Sequence, residues 1–583
     1  MQEYIGRKKT VVFFVTASLL LALGLLFVYW QPITVSRFFY LDSYSSIVRN
    51  TDVKISSLDL KSLNQAFHAG SNAEGFRPFA MLSFGIDYYF HGYDGRGFRA
   101  TNLVILVLCG ISVMFLAYLL CSRWTSSSGA LAIALATGVL WSLHPLQTSI
   151  TAYIAQRITS FAILGYMLAM AFFILGEMKG KRYWILAALF AAFGVMNKEI
   201  VMYLPFAIAL YRIAWDERAH SWAVERKWPM LIGGALPFVG VGVASWVYRK
   251  LYFYYAWEFT PWQRMITEAR VLWSYVGLML LPLPSRLNLD HGYAFSSGIL
   301  TPLSTLPAIL MHVAVVALAF WLWRRHRFSA LLIFLYYLSH LIESTTLGLD
   351  LMFEHRMSLP MVFLMILFCF WLWRGVVILF GENRRAVYAF SAIVVLFALG
   401  LGGLTATRLK AWESQRIFTE DMYSKAPENP RVALSVGSEY WAEGNRAEAE
   451  KYFVKAIDLN PSGWKASTSL ATIYAEQSKC DEAVGIVENL MTRFIPQPAH
   501  YRVLGMCAEQ NRRFDEALGH YQKALELMPG MQMTRLFIAH VYQKLGRLDV
   551  ARQYVLEELR LYPGDAGAIK FLGFIDEKRR GLK

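Results

Sequence analysis

The sequence predicts an all-α protein in two parts: a polytopic membrane domain over residues 1–408, then an α-solenoid over 409–583. Three observations predict it. The 583-residue chain is 56% hydrophobic with a mean hydropathy of +0.37, too apolar for an ordinary soluble protein. Apolar runs of membrane-spanning length recur through roughly the first 400 residues. Beyond them a proline returns at a spacing of about 34 residues (Pro427, Pro461, Pro496, Pro529, Pro563), the period of a tetratricopeptide array.

The first element is MQEYIGRKK followed by apolar residues to Trp30. It has the look of a signal peptide, but no small-residue cleavage site follows, so it reads as an uncleaved first span. Spanning-length runs then fall near 100–121, 129–143, 159–177, 183–197, 199–215, 229–249, 301–323, 328–342, 357–380 and 386–407. Basic clusters belong on the cytoplasmic side. Arg7-Lys8-Lys9, Arg123, Lys179-Lys181-Arg182, Arg226-Lys227, Arg324-Arg325-Arg327 and Arg384-Arg385 can all be placed there with eleven crossings. That leaves 31–99, 144–157, 197–200, 250–300 and 343–356 on the opposite side. A further apolar run, 269–284, breaks the count if it crosses. It reads as an interfacial or re-entrant helix ended by Pro282 and Pro284. An odd number of crossings sets the repeats on the side of the charged loops; a crossing at 269–284 would move them to the cytoplasm.

Between successive prolines each C-terminal unit reads as two helices. In VALSVGSEYWAEGNRAEAEKYFVKAIDLNP, Gly437 and Ala447 are the expected small packing residues, Tyr440 and Tyr452 the large ones, and Ala456 and Pro461 close the unit. About four units plus a final helix near 565–579 stack into a curved solenoid whose concave face suits a polypeptide. A passive spacer or a self-association surface would use the same pattern.

Composition excludes some classes. The net charge of +15 sits in short clusters between apolar runs, which argues for membrane topology and against nucleic acid. The five cysteines form no CxxC, so no zinc or redox motif is signalled; Cys480 and Cys507 read as isolated buried thiols, one in each helix, with pairing in an oxidising compartment as the alternative. No Walker loop, HExxH, GxSxG or Rossmann glycine pattern is present, which speaks against a soluble nucleotide donor.

The charged residues at the ends of the spans carry the functional signal. An ionised group at bilayer depth costs about 2.5–3.5 kcal/mol on insertion scales, and a mere anchor would not need one. Asp42, in FFYLDSYSSI, is placed to accept a proton from a hydroxyl, or to cap an interfacial helix. Arg77 could pair with Asp42 or with a phosphate. His144 and Arg157 bracket HPLQTSITAYIAQR. Lys198-Glu199 could be a site or a mutually neutralising pair. LPLPSRLNLDH brings Arg286, Asp290 and His291. LIESTTLGLDLMFEHRMSLP brings Glu343, Glu354, His355 and Arg356. Five loops on one face thus hold carboxylates beside cations, which suits a lipid-linked phosphate or pyrophosphate.

In this order, LDSYSSI, FRPFAMLSFGIDY, GFRATN, HPLQTSITAYIAQR, NKE, LPLPSRLNLDH and FEHRMSLP, followed by the repeats, resemble the bacterial tetratricopeptide-containing relatives of the protein O-mannosyltransferases. Their eukaryotic cousins are the transmembrane-and-tetratricopeptide O-mannosyltransferases. The resemblance covers nearly the whole chain. It implies a glycosyltransferase class C (GT-C) fold and transfer of a sugar from a polyprenyl-phosphate carrier to a protein hydroxyl outside the cytoplasm, here the periplasmic face of a bacterial inner membrane. The family's first loop often carries two adjacent acids; here Asp42 stands at the first and Ser43 at the second. Asp42 is then the sole candidate base of that loop, and one carboxylate is a poor start for a hard-cation site; no cofactor is required, and a divalent metal is left open but is not signalled.

The expected mechanism has Asp42 deprotonate an acceptor Ser or Thr, with inversion at the sugar if the relation holds. Arg157, Lys198, Arg286 and Arg356 are the candidates for the leaving phosphate. Arg77, Asp290, His291 and His355 support the site, Glu199 and Glu354 orient cations, and His144 bonds sugar or phosphate. The expected partners are the lipid-linked sugar, membrane lipid and an acceptor polypeptide on the repeats. Two other classes use many of the same features: an oligosaccharide ligase working on lipid-pyrophosphate glycans, and a non-enzymatic scaffold for envelope proteins.

Overall fold

The computed structural model describes residues 2–70, 76–217, 259–461, 463–562 and 564–581. The predicted span at 229–249, the start of the 250–300 loop and Pro563 lie outside them. Among the described residues the structure is helical, with one isolated bridge between Gly298 and Thr301. The chain divides into two compact units, Met1–Phe418 and Thr419–Lys583.

Among the described residues of the first unit six helices are long and apolar enough to cross a membrane: Phe14–Gln31, Gly95–Cys121, Ile154–Lys179, Thr305–Arg325, Pro360–Phe380 and Arg384–Trp412. Ser127–Ser142 and Pro145–Thr151 add a seventh if the pair, bent by 54°, is one span. The expected runs 183–197, 199–215 and 328–342 appear as the shorter helices Tyr183–Val195, Leu204–Trp215 and Arg327–His340. Over their most apolar 18 residues Gly95–Cys121 and Ile154–Lys179 have 67% of positions buried within the protein, whereas Thr305–Arg325 and Arg384–Trp412 have 17% and leave apolar faces for lipid. Arg157–Lys179 meets Tyr183–Val195 at a pair of glycines. A Cβ on Gly165 would lie 2.6 Å from the Gly194 Cα, so only glycine allows this backbone approach.

The breaks between helices follow local chemistry and place the charged residues. Pro145 has no N–H and pushes its predecessor out of the helical region; His144 accordingly sits at φ −70°, ψ 134°, at the bend. Lys198 is extended at φ −156°, ψ 142°, so its side chain and that of Glu199 leave on different sides. Helix Pro261–Leu280 opens with a Thr260/Gln263 capping box and begins earlier than the expected apolar run. It buries a stripe containing Arg264, Glu268, Val271 and Tyr275, and these charges keep it out of the set of spanning helices.

Two ends of this unit are chemically distinct. At one, Arg123 lies 4.1 Å from the Trp215 ring centroid, Arg327 pairs with Glu217 at 2.8 Å, and Ser126 donates to Glu382. At the other, the loops carrying Asp42, Arg77, Lys198, Glu343 and Glu354 bind one another. Basic loops therefore meet basic loops, and site loops meet site loops.

The second unit consists of helix pairs Pro430–Ala442/Arg446–Leu459, Trp464–Glu476/Cys480–Arg493, Pro498–Gln510/Phe514–Leu527 and Thr534–Lys544/Leu548–Leu561, then Ala566–Gly581. In two of the pairs the helices close on a glycine of the first. A Cβ on Gly437 would lie 2.6 Å from the Phe453 ring, and one on Gly505 2.6 Å from the Tyr521 ring. The first pair's packing residues differ from expectation: Ala447 is exposed and Ala449 is buried, with Phe453 filling the gap. A two-residue shift moves a side chain to a different helix face. Tyr440 and Tyr452 stack on each other, with centroids 5.6 Å apart.

Candidate active site

The loop after the first helix turns at Leu41, whose φ of +44° is unfavourable for a branched side chain. Asp42 follows, exposed. The Tyr153 hydroxyl donates to Asp42 Oδ2 at 2.8 Å and accepts from the Asp42 N–H at 3.2 Å. Ser43 is buried, and its Oγ accepts the Ala155 N–H at 3.0 Å. Where the resemblance suggests a second acid, this chain uses a hydroxyl to pin the first loop to the 154–156 turn. A carboxylate ligand pair is therefore missing here, and among the described residues no group of three or more His, Cys, Asp or Glu is arranged to hold a metal.

Six residues beyond Tyr153 the same segment reaches a second cluster. Lys198 Nζ lies 3.2 Å from Thr159 Oγ1 and 2.7 Å from Glu343 Oε1. Arg356 Nε approaches the same oxygen at 3.8 Å. One carboxylate thus bridges two cations, and all three side chains are largely buried. Burial opposes the charge on Glu343, but Lys198 and Arg356 hold it below the ordinary glutamate range. Arg77 Nη1 donates to the Asn197 carbonyl at 2.8 Å, and its Nη2 lies 3.6 Å from Glu199. Lys198 and Glu199 therefore do not neutralise each other, and the ion pair of Arg77 is with Glu199 rather than with Asp42.

Arg157 is placed elsewhere. It is fully buried, with Nη2 2.5 Å from Asp87 Oδ2 and 2.9 Å from the Phe98 carbonyl, Nε 2.7 Å from Asn102 Oδ1 and Nη1 3.1 Å from Ser83 Oγ. Every nitrogen of the fork is engaged, so Arg157 is a scaffold cation and not a phosphate ligand: a buried guanidinium must be satisfied by its own fold. Arg286 also departs from expectation. It is exposed, and its Nη1 caps the end of helix Pro261–Leu280 through the Gly277 and Leu281 carbonyls at 3.3 and 3.2 Å.

The remaining residues form a third group. Glu354 Oε1 accepts the Asn288 N–H at 2.6 Å and lies 3.2 Å from His291 Nε2. It ties one loop to another, and the basic side chain it meets is a histidine rather than the expected arginine or lysine. Asp290 Oδ1 accepts the Gly292 N–H at 3.2 Å, which closes a turn. His144 uses both ring nitrogens, Nε2 on the Met279 carbonyl at 2.9 Å and Nδ1 on the Leu146 N–H at 3.2 Å, so it braces the bend instead of facing a sugar. His355 stacks on Phe353 with centroids 5.3 Å apart.

Sequence reasoning gave no role to several residues that organise this end. They are Tyr153 beside Asp42, Glu343 between the cations, and Arg264, which pairs with Glu268 at 2.9 Å and holds the Glu343 carbonyl at 2.6 Å. Arg264 and Glu268 stand at i, i+4, a spacing that could have flagged them. No local pattern marks Tyr153.

Residues 96–246 match the dolichyl-phosphate-mannose-protein mannosyltransferase family, a segment that includes Tyr153, Thr159 and Lys198. Residues 437–497 and 501–531 match tetratricopeptide repeats. The chain therefore carries a segment similar to the protein mannosyltransferases, followed by tetratricopeptide repeats. The Arabidopsis thaliana protein CTR9 homolog is 35% identical over 134 residues, 22% of this chain and 12% of that protein. Protein bimA of Emericella nidulans is 22% identical over 221 residues, 32% of this chain and 27% of that one. The chain thus spans only about an eighth and a quarter of these two relatives. Among solved structures, a thermophilic tetratricopeptide protein of Thermus thermophilus is 17% identical over 31% of this chain and 94% of its own, with TM-score 0.26. The APC/C hetero-tetramer Cut9-Hcn1 is 14% identical over 87% and 92%, with TM-score 0.27.

Proposed function

We propose that this protein moves a sugar from a polyprenyl-phosphate carrier to Ser or Thr hydroxyls of a protein acceptor. The reaction is set at the non-cytoplasmic face of a bacterial inner membrane, with the repeats presenting the acceptor. The observation that carries the reading is the 153–159 segment. It lies inside the mannosyltransferase match and touches Asp42 through Tyr153 at one end and Lys198 through Thr159 at the other. At helical rise its ends are about 9–12 Å apart, a separation that a sugar phosphate can bridge.

Asp42 Oδ takes the proton of the acceptor hydroxyl. The oxygen forms a bond to the anomeric carbon as the bond from that carbon to the phosphate oxygen breaks, and the lipid phosphate leaves with the electron pair. Lys198 and Arg356 meet the developing phosphate charge, with Arg77 nearby. Glu343 keeps the two cations together when no phosphate is present. Arg157 and Arg286 take no part. The basic loops at 123, 327 and 384–385 support a cytoplasmic opposite end under the positive-inside rule, and the repeats raise the local concentration of acceptor.

The test is glycoproteomics of envelope proteins from cells carrying the wild-type gene, an Asp42→Asn gene or neither. A Ser- or Thr-glycosylated peptide present only with wild type identifies sugar and acceptor together. Identical glycosylation in all three, with both proteins verified in the membrane, removes the transferase reading in favour of a scaffold.

A further inference from the structure

Arg99 stands one turn into helix Gly95–Cys121 and is 2% exposed. Its three nitrogens donate to backbone carbonyls of two separate segments: Nη1 to Ser36 at 2.9 Å, Nη2 to Phe38 at 3.0 Å and Nε to Ala152 at 3.0 Å. Its guanidinium also lies 5.0 Å from the Phe38 ring centroid. The Gly95 N–H donates to the Arg37 carbonyl between them at 3.1 Å. That approach needs glycine, because a Cβ there would sit 2.7 Å from the Arg37 oxygen. The helix start therefore grips three consecutive carbonyls of the segment that leads into Asp42, and one carbonyl of the residue just before Tyr153.

These two segments end on the two partners of one hydrogen bond, that from the Tyr153 hydroxyl to Asp42 Oδ2. Tyr153 is 2% exposed, and its ring stacks on Trp412 with centroids 6.4 Å apart, as does that of Phe38. A rigid fork is the side chain that can hold two backbone segments at a fixed separation, and a buried guanidinium with only carbonyl acceptors is costly unless that geometry is needed.

We infer that Arg99 and Tyr153 are positioning residues for Asp42, Arg99 by fixing the 36–38 and 152 backbones and Tyr153 by orienting the carboxylate toward the acceptor hydroxyl. The inference rests on the reading of Asp42 as the base. A base oriented for proton removal acts on turnover and not on donor affinity.

The experiment uses the full chain in lipid nanodiscs, with a polyprenyl-phosphate-mannose donor and a serine-containing peptide, and measures kcat and donor KM. Tyr153→Phe keeps the ring and removes only the hydroxyl. It should lower kcat about tenfold or more, the scale of one hydrogen bond to a charged group, with donor KM unchanged. Arg99→Lys should recover part of the kcat lost in Arg99→Ala, again at constant KM. If Arg99→Ala does not fold, Tyr153→Phe decides. Wild-type kcat in Tyr153→Phe, or a raised KM at unchanged kcat, overturns the inference. Asp42→Asn separates the two levels. Full turnover in that variant removes Asp42 as base and the positioning roles with it; lost turnover there beside an unaffected Tyr153→Phe removes the positioning roles alone.

Discussion

Arg157 and the pair Lys198/Arg356 are all buried cations, joined through one helix start, yet their shells differ. The fork of Arg157 is closed: Asp87, Asn102, Ser83 and the Phe98 carbonyl take every nitrogen. Lys198 and Arg356 share the single carboxylate of Glu343. Arg356 Nη1 also donates to the Asp350 carbonyl at 2.5 Å, while Arg356 Nε and His355 Nδ1 are buried without a hydrogen-bond partner among the described residues. Native folds rarely leave such atoms unmet. A closed shell makes a cation part of the scaffold, while under the proposed function the shared one is where the lipid phosphate is met. Burial and charge alone would have ranked the three cations equally.

The sharpest way to break this contrast is to remove each ion pair whole. Arg157→Met alone strands Asp87 and should cost about 3–5 kcal/mol, read as loss of folded protein by size-exclusion chromatography in detergent. The double change Arg157→Met/Asp87→Leu should restore both folding and transfer, since a buried pair replaced by apolar groups is often neutral. The triple change Lys198→Met/Glu343→Leu/Arg356→Met, which removes both cations with their shared carboxylate, should likewise fold but lose at least about 100-fold in kcat, measured on the reconstituted enzyme. Equal activity in the double and triple variants would erase the distinction.

A smaller effect is expected in the repeats. Gly505→Leu drives a side chain into the Tyr521 ring and should destabilise that unit by about 1–3 kcal/mol, seen as a lower first transition in thermal unfolding, while glycosylation of a short peptide is kept. The smallest effect is a pH dependence. Burial raises the Glu509 pKa, but hydrogen bonds from His540 and Lys544 outweigh it and hold the group below its ordinary value of 4.5. Its contribution to stability is full above that value and is lost as pH falls through the lowered one. Glu509→Gln should flatten the acid side of the unfolding curve of the repeats, and an unchanged slope would count against the network.

Much of the architecture was legible because it rests on local chemistry. The repeat spacing, Pro145 at the helix break and the apolar runs of Gly95–Cys121, Pro360–Phe380 and Arg384–Leu409 are periodicities and backbone restrictions written in contiguous residues. Which loops carry the costly charges was also legible, because charged residues at span ends are costly wherever they point. Ala447 for Ala449 shows the limit even there, since two residues of error along a helix change the buried face.

What the sequence by itself determined is therefore the order of helices, the repeat class and the set of loops that carry charge. Only the tertiary structure decided which charge meets which. It gave Arg157 to Asp87, Arg77 to Glu199, Lys198 and Arg356 to Glu343, and Asp42 to Tyr153. Apart from Arg356 and Glu343, the partners in each pair stand 70 residues or more from each other along the chain. The physical reason is range. Helix and turn formation is settled within a few residues, whereas a buried charge takes its partner from whatever segment the packing brings within about 4 Å.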